Sequence, residues 1–192
     1  GVGFNSKLSS CEKFNIQTSQ WTPIAQMTTL RHAHSVAVIG KLAYIIGGWV
    51  DGSRCIGDVE IYDMELNNWH PGIPLCLPRR LHASTSMNQL IYVFGGYHSN
   101  SNHLPPTDTN PTDGEATDTT DNSPHEVCTA REYFTNSAEV FDISTNTWQN
   151  LPNLPYMGPA SAVAIHAESP DESFIYIFMH GKCTLRYDIK DQ

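Results

Sequence analysis

Leu42–Trp49 reads LAYIIGGW and, 48 residues on, Leu90–Tyr97 reads LIYVFGGY. Each is an apolar run stopped by two glycines, Gly47-Gly48 and Gly95-Gly96, and followed by a large aromatic. The same offset brings Arg31 onto Arg79 and His34 onto His82. A second element keeps its own spacing, Glu-x-aromatic with a Trp seven residues after the aromatic: CEKFN with Trp21, VEIYD (Glu60, Tyr62) with Trp69, and AEVFD (Glu139, Phe141) with Trp148. The chain is a tandem repeat, so its fold depends on what one unit is unable to do alone.

Each unit reads as four short strands. His34–Gly40 and Leu42–Gly48 form a hairpin about Gly40-Lys41, Asp58–Met64 alternates polar with apolar, and Asn67–Trp69 opens a fourth strand after an Asn-rich turn. No segment sustains helical periodicity for ten residues. The second strand is apolar at consecutive positions, Ile45-Ile46 and Val93-Phe94, so both of its faces need cover. A single four-stranded sheet cannot supply that, and neighbouring units must. Glycines ending such a strand admit another backbone or a large ring. Trp21, Trp69 and Trp148, each able to bury on the order of 200 Å², are expected to seal one sheet against the next.

Composition narrows the function classes. The 192 residues are 40% hydrophobic, as in a soluble globular protein. No stretch approaches the roughly 18 apolar residues of a membrane helix. Eleven Lys and Arg against 20 Asp and Glu give a formal charge of -9, which argues against nucleic acid or an anionic membrane as partner. The five cysteines are odd in number and form no C-x-x-C pair, and no N-x-[ST] acceptor occurs, which together point to a reducing, cytoplasmic setting.

Arg near the first strand, Gly-Gly after the second, Glu-x-Tyr or Glu-x-Phe on the third and Trp on the fourth resemble Kelch repeats, over nearly the whole chain apart from one insertion. The resemblance implies an all-β fold, a Kelch-type β-propeller present in part. Residues 1–192 then form a partial propeller: 1–30 carry the last strands of a preceding blade, 31–78 a complete blade, 79–157 a second complete blade with an insertion at 99–130, and 158–192 a degenerate, incomplete blade. Two complete four-stranded blades plus parts of two flanking ones, about thirteen strands, fall short of a closed ring, so the sequence reads as an excerpt.

Two segments depart from the repeat. Ser99–Ala130 lengthens one loop by 31 residues, carries Asp108, Asp113, Glu115, Asp118, Asp121 and Glu126 with no Lys or Arg, and is expected to be disordered. In the last unit Gly158 replaces the arginine, Met179-His180 replaces Gly-Gly, and AESPDES lengthens the hairpin.

Chemical motifs are few. HAH at His32–His34 puts two rings on one strand face, but His34 recurs as His82 and no Cys or carboxylate cluster completes a coordination set, so neither metal nor cofactor is expected. GKLAYIIGG lacks the order of a phosphate loop. Arg79-Arg80 is too short for nucleic acid recognition. Arg79 occupies the repeat position and is expected to hold one blade against the next through backbone carbonyls; Arg80 has no counterpart, because His32 stands in its place. No catalytic residues emerge. Secreted copper oxidases also use Kelch-type propellers and form the alternative reading, although their Tyr, Cys and His site is not recognisable here as a local motif.

In Kelch substrate adaptors, positions just after Gly-Gly and just after the first-strand Arg commonly line the binding face. By resemblance these are Trp49, Val50 and Asp51, Tyr97 and His98, then His32, Ala33, Arg80 and Leu81. They differ between repeats at equivalent positions, as recognition residues on a fixed scaffold do. The chain is most similar to the Kelch half of BTB-Kelch proteins. That implies a protein ligand on this face, with either a cullin-RING ubiquitin ligase reached through a BTB segment outside these residues, or actin, as the wider partner.

Overall fold

In the computed structural model, residues 9–50, 54–99, 132–165, 173–181 and 183–189 are described. The chain opens with the antiparallel pair β1 (Cys11–Asn15) and β2 (Gln20–Ile24). Next come β3 (Ser35–Ile39), β4 (Leu42–Ile46), β5 (Trp49–Val50), β6 (Arg54–Cys55), β7 (Val59–Asp63) and β8 (Asn68–Pro71). The third group comprises β9 (Ala83–Met87), β10 (Leu90–Phe94), β11 (Tyr97–Ser99), β12 (Glu132–Phe134), β13 (Ala138–Asp142) and β14 (Thr147–Leu151). It is followed by β15 (Ala160–Ile165), β16 (Phe174–Met179) and β17 (Thr184–Asp188). Two four-stranded antiparallel sheets, β3-β4-β7-β8 and β9-β10-β13-β14, and the three-stranded β15-β16-β17 are successive propeller blades, with no α-helix among the described residues.

Each four-stranded blade also carries what the sequence pattern did not reveal: the loop from second to third strand forms its own short hairpin, β5-β6 in one blade and β11-β12 in the next. Ser99, expected as the first residue of the disordered insertion, instead ends β11 and is buried. The rest of that insertion lies outside the described residues, as does the AESPDES stretch apart from its last residue, Ser173.

The second strand of each complete blade is covered on both faces. Ile45 packs with Met27 and Tyr62 on one side, while Ile46 packs with Ile91 and Val93 of the following blade. Tyr92 and Phe94 turn the other way, onto Ile175 and Ile177. All four residues from Ile91 to Phe94 are fully buried, at about 1.5–3 kcal/mol per large apolar side chain. The core is thus distributed over the blade boundaries, one cluster at each.

Polar groups lock the connectors between blades. Arg31 is fully buried and donates to the carbonyls of Gly47 (3.0 Å) and Asp58 (2.7 Å) and to Glu60 Oε1 (2.7 Å). Glu60 in turn accepts the backbone N–H groups of Thr28 (2.7 Å) and Thr29 (3.0 Å) on the connector that enters the blade. Arg79 repeats the set with Gly95, Ser137 and Glu139, and Glu139 accepts from Cys76 and Leu77. This corrects the expected role of Arg79: its bonds fasten a blade to its own entering connector. Blade-to-blade bonds run through the backbone at several points, with Gly48 N–H donating to Arg79 O, Gly96 N–H to Gly158 O, and Leu81 N–H to Ala33 O.

The indoles meet the expectation in part. Phe14–Trp21, Tyr62–Trp69 and Phe141–Trp148 are cross-strand partners in register, with ring centroids 5.0–5.1 Å apart. The seven-residue spacing is the register of this outer hairpin. Trp69 and Trp148 lie half-buried on the outer strand and donate Nε1–H to Ala25 O and Ile73 O of the connectors, while Trp21 on β2 is 65% exposed. Trp69 and Trp148 thus clamp connectors at the rim while packing against the outer margin of the clusters at the blade boundaries, as expected, whereas the exposed Trp21 joins none of them. The room made by Gly47 and Gly48 is taken by backbone: a Cβ would lie 2.7 Å from Arg79 O at Gly47 and 2.8 Å from His32 O at Gly48.

The last blade lacks this apparatus on both sides of the pair. Met179 holds the first glycine's place, since its N–H donates to Cys183 O as those of Gly47 and Gly95 do to Asp58 O and Ser137 O. Leu185, two residues past Cys183, therefore stands where Glu60 and Glu139 do, and Gly158 where the arginines do. Without the positive-φ glycine pair, the inner hairpin runs straight, pairing Ala160 with Met179.

One swap between blades is internally compensated. Ala138 faces Leu151 across β13-β14, whereas at the equivalent place Val59 faces Gly72, where a Cβ would lie 2.8 Å from Val59 Cγ1. Gly72→Leu alone is predicted to cost about 1–3 kcal/mol through overpacking, and addition of Val59→Ala to recover most of it. Urea unfolding of the two variants checks this; equal stability of the single and double variants would contradict the compensation.

Candidate functional site

The residue after the repeat arginine pairs with the residue after Gly-Gly. His32 and Trp49 exchange backbone hydrogen bonds of 3.1 and 2.8 Å, and Arg80 and Tyr97 exchange bonds of 2.9 and 2.8 Å. The pairs sit at one edge of the blades because Ala33 and Leu81 adopt left-handed φ values of 55° and 50°, which turn the chain into the inner strand. In the last blade Pro159 O accepts from His180 N–H, at 3.0 Å, so a third pair lies at the same edge, one residue out of step.

Side chains join across the blades here. The Arg80 guanidinium carbon lies 4.4 Å from the Trp49 ring centroid and 4.9 Å from that of Tyr97. Tyr97 in turn lies 4.2 Å from Phe134 of β12. The result is a ladder, Trp49–Arg80–Tyr97–Phe134, in which a cation from one blade rests on an aromatic ring of its neighbour and one of its own. Such a contact contributes about 0.5–2 kcal/mol according to its exposure, and it restricts a side chain that otherwise has many rotamers. Beneath the ladder, Cys55 N–H donates to Ser99 Oγ at 2.9 Å, which ties β6 to β11.

The other expected face residues divide. Val50 is half-buried in β5, and the side chain of Leu81 is exposed while its N–H and C=O link neighbouring blades. Ala33, through its carbonyl, belongs to that same link. His98 turns aside: its Nδ1 lies 2.8 Å from Pro78 O, an acceptor, so that nitrogen carries the proton. Asp51 lies outside the described residues. Sequence reasoning missed Phe134, because it comes after the insertion, and Pro159, because the repeat around it is degenerate.

Among the described residues no group of three or more His, Cys, Asp and Glu side chains gathers as a metal site would, and no helix is long and apolar enough to cross a membrane. The repeat histidines His34 and His82 lie behind the edge. His82 is buried, with only the backbone of Ile46, among the described residues, near its ring to favour the charged form. Burial, and then the positive charge of Arg79, hold its pKa down to about 3. Burial likewise lowers His34, to about 4, with Arg31 adding to the effect.

The family model of the Kelch motif matches residues 30–72, 78–105 and 128–155, together more than half of the chain. The chain belongs to the Kelch family. A search of curated proteins found no match. As a Kelch propeller, it is of a type that serves as a protein-interaction module, and the three matched segments coincide with the two complete blades just described.

The histidines give this Kelch chain a defined acid response. Folded, His34 and His82 stay neutral down to about pH 4 and 3; unfolded, they take up protons near 6.5. Stability is therefore complete above pH 6.5 and falls as the pH drops from there toward 3. The melting temperature is expected to decline between pH 7 and 5, above the carboxylate range, and to decline less in His82→Gln. A flat profile over that interval in the unmodified chain would contradict the assignment.

Proposed function

We propose that this Kelch propeller binds a protein ligand through the edge carrying His32, Trp49, Arg80 and Tyr97, and that Arg80 receives an anionic group of that ligand. The observation that supports it is the Trp49–Arg80–Tyr97 stack. Its backbone positions repeat from blade to blade while its side chains do not, and it gathers from two blades the residue types that dominate binding hot spots. A guanidinium held close to two rings is restricted in position, and its planar fork of N–H groups matches the geometry of a carboxylate.

Within this reading the chain is the substrate-recognition propeller of a BTB-Kelch adaptor in the cytoplasm, with the cullin-RING ligase engaged through a BTB segment outside these residues. An actin or cytoskeletal scaffold would use the same edge for a different ligand, and none of the edge residues is assigned covalent chemistry. The net charge of -9 favours a ligand that approaches this edge by local complementarity over one steered by the whole chain.

The direct experiment is affinity capture from cytosolic extract with the intact protein and its Arg80→Ala variant, followed by measured affinities for whatever is captured. The expected loss is on the order of 2 kcal/mol, or about 30-fold, in a variant that still unfolds cooperatively although loss of the ring contacts lowers its melting temperature. Identical partners and affinities for the two proteins would remove this edge from consideration.

A further inference from the structure

The ladder ends at Phe134, and a cavity of about 450 Å³ begins there. Its walls are Phe134, Pro155, Tyr156, Met157, Pro159 and His180. It exists because the last blade departs from the repeat. Gly158 supplies no side chain where the other blades have a buried arginine, and the slipped hairpin brings His180 to the edge in place of glycine. Three of the wall residues keep large apolar side chains open to solvent, Phe134 at 47%, Tyr156 at 44% and Met157 at 53%. Apolar side chains gathered around a concave surface in this way mark a binding site more often than scattered ones do. None of the lining residues is a carboxylate.

Cation and cavity share a wall. Tyr97 holds the Arg80 guanidinium 4.9 Å from its ring centroid and meets Phe134 at a tilt, with 4.2 Å between centroids. An extended peptide advances about 3.3 Å per residue, and side chains two positions apart lie on the same face. Since Tyr97 lies 4.9 Å from the Arg80 guanidinium and 4.2 Å from Phe134, the cavity wall at Phe134 is at most about 9 Å from the cation, within reach of side chains two positions apart on one strand of ligand.

We infer that the cavity between Phe134 and His180 is a second subsite of this edge, which takes a large apolar side chain two positions from the acidic residue received by Arg80. This rests on the reading of the edge as the ligand face. The partner is accordingly an extended segment of acidic-x-apolar character. A ligand with acidic residues alone leaves the cavity walls wet, and one with basic residues meets Arg80 with like charge.

Selection of random hexapeptides displayed on phage against the intact protein, its Arg80→Ala variant and its Met157→Asp variant tests this. The unmodified protein is expected to enrich Asp or Glu two positions from Leu, Met, Phe or Trp. Met157→Asp, at an exposed position and with unchanged melting temperature, is expected to keep the acidic preference and lose the apolar one. A synthesised consensus peptide should bind that variant at least ten-fold more weakly. Acidic enrichment with no apolar residue at fixed spacing, or the same selection by Met157→Asp, overturns the second subsite and leaves the ligand edge standing. Selection indifferent to Arg80→Ala, or no enrichment at all, overturns both. Self-association of the chain that Met157→Asp abolishes would place a second copy on the cavity and likewise overturn the peptide assignment.

Discussion

A guanidinium taken out of water needs an acceptor for its charge and its N–H groups, and the blades are organised around meeting that need twice. The effective penalty for burying an ion is several kcal/mol, so the pair holds only where other hydrogen bonds complete it. Arg31 and Arg79 are both fully buried. Each reaches the carbonyl closing the second strand, the carbonyl opening the third and a glutamate on the third. The glutamates complete the set by accepting two backbone N–H groups of the entering connector. For Glu60, burial works to raise the carboxyl pKa, but the Thr28 amide and the Arg31 guanidinium outweigh it and hold the group below the ordinary carboxylate range.

Much else is a consequence of fixing that connector. With the entry point set, the outer Trp of each complete blade finds the same connector carbonyl, and the N–H of Gly48 finds the backbone of the next blade. The last blade shows the constraint from its other side. It has lost both members of the pair, with Gly158 and Leu185 in their places, and not one alone, which would have left a buried charge without a partner. Freed from the arginine and from the glycine kink, its hairpin slips by a residue relative to its neighbours, and the cavity at Met157 occupies part of the space released.

The fold was readable in the sequence because two periodicities are carried by residue types with few substitutes. Consecutive apolar residues at Ile45-Ile46 and Val93-Phe94 demanded two-sided cover, and the cores at successive blade boundaries supply it. The seven-residue spacing from aromatic to Trp encoded a hairpin register. The depth of the indoles was not readable, because a ring that packs on a strand and one that packs between sheets leave the same pattern. The reach of Arg79 was equally hidden, since its carbonyl acceptors carry no side-chain signal. At the edge, the sequence located Trp49, Arg80 and Tyr97 from the repeat but gave no sign that the three stack. It missed Phe134 and Pro159, whose positions depend on an insertion and on a one-residue slip.

Scaffold and proposed recognition are thus separated by position: the arginine, glutamate and glycines serve the blade, and their immediate chain neighbours form the edge to which ligand binding is assigned by proposal. The most direct test of the underlying constraint is the unfolding free energy of Arg79→Lys. Lysine keeps the charge opposite Glu139 but has no planar fork with which to reach the Gly95 and Ser137 carbonyls at the same time. The account predicts a loss of about 2–4 kcal/mol, as expected when buried carbonyls lose a charged donor. A variant as stable as the original would show that charge alone suffices, and that the hydrogen-bonded fork does not organise the blade.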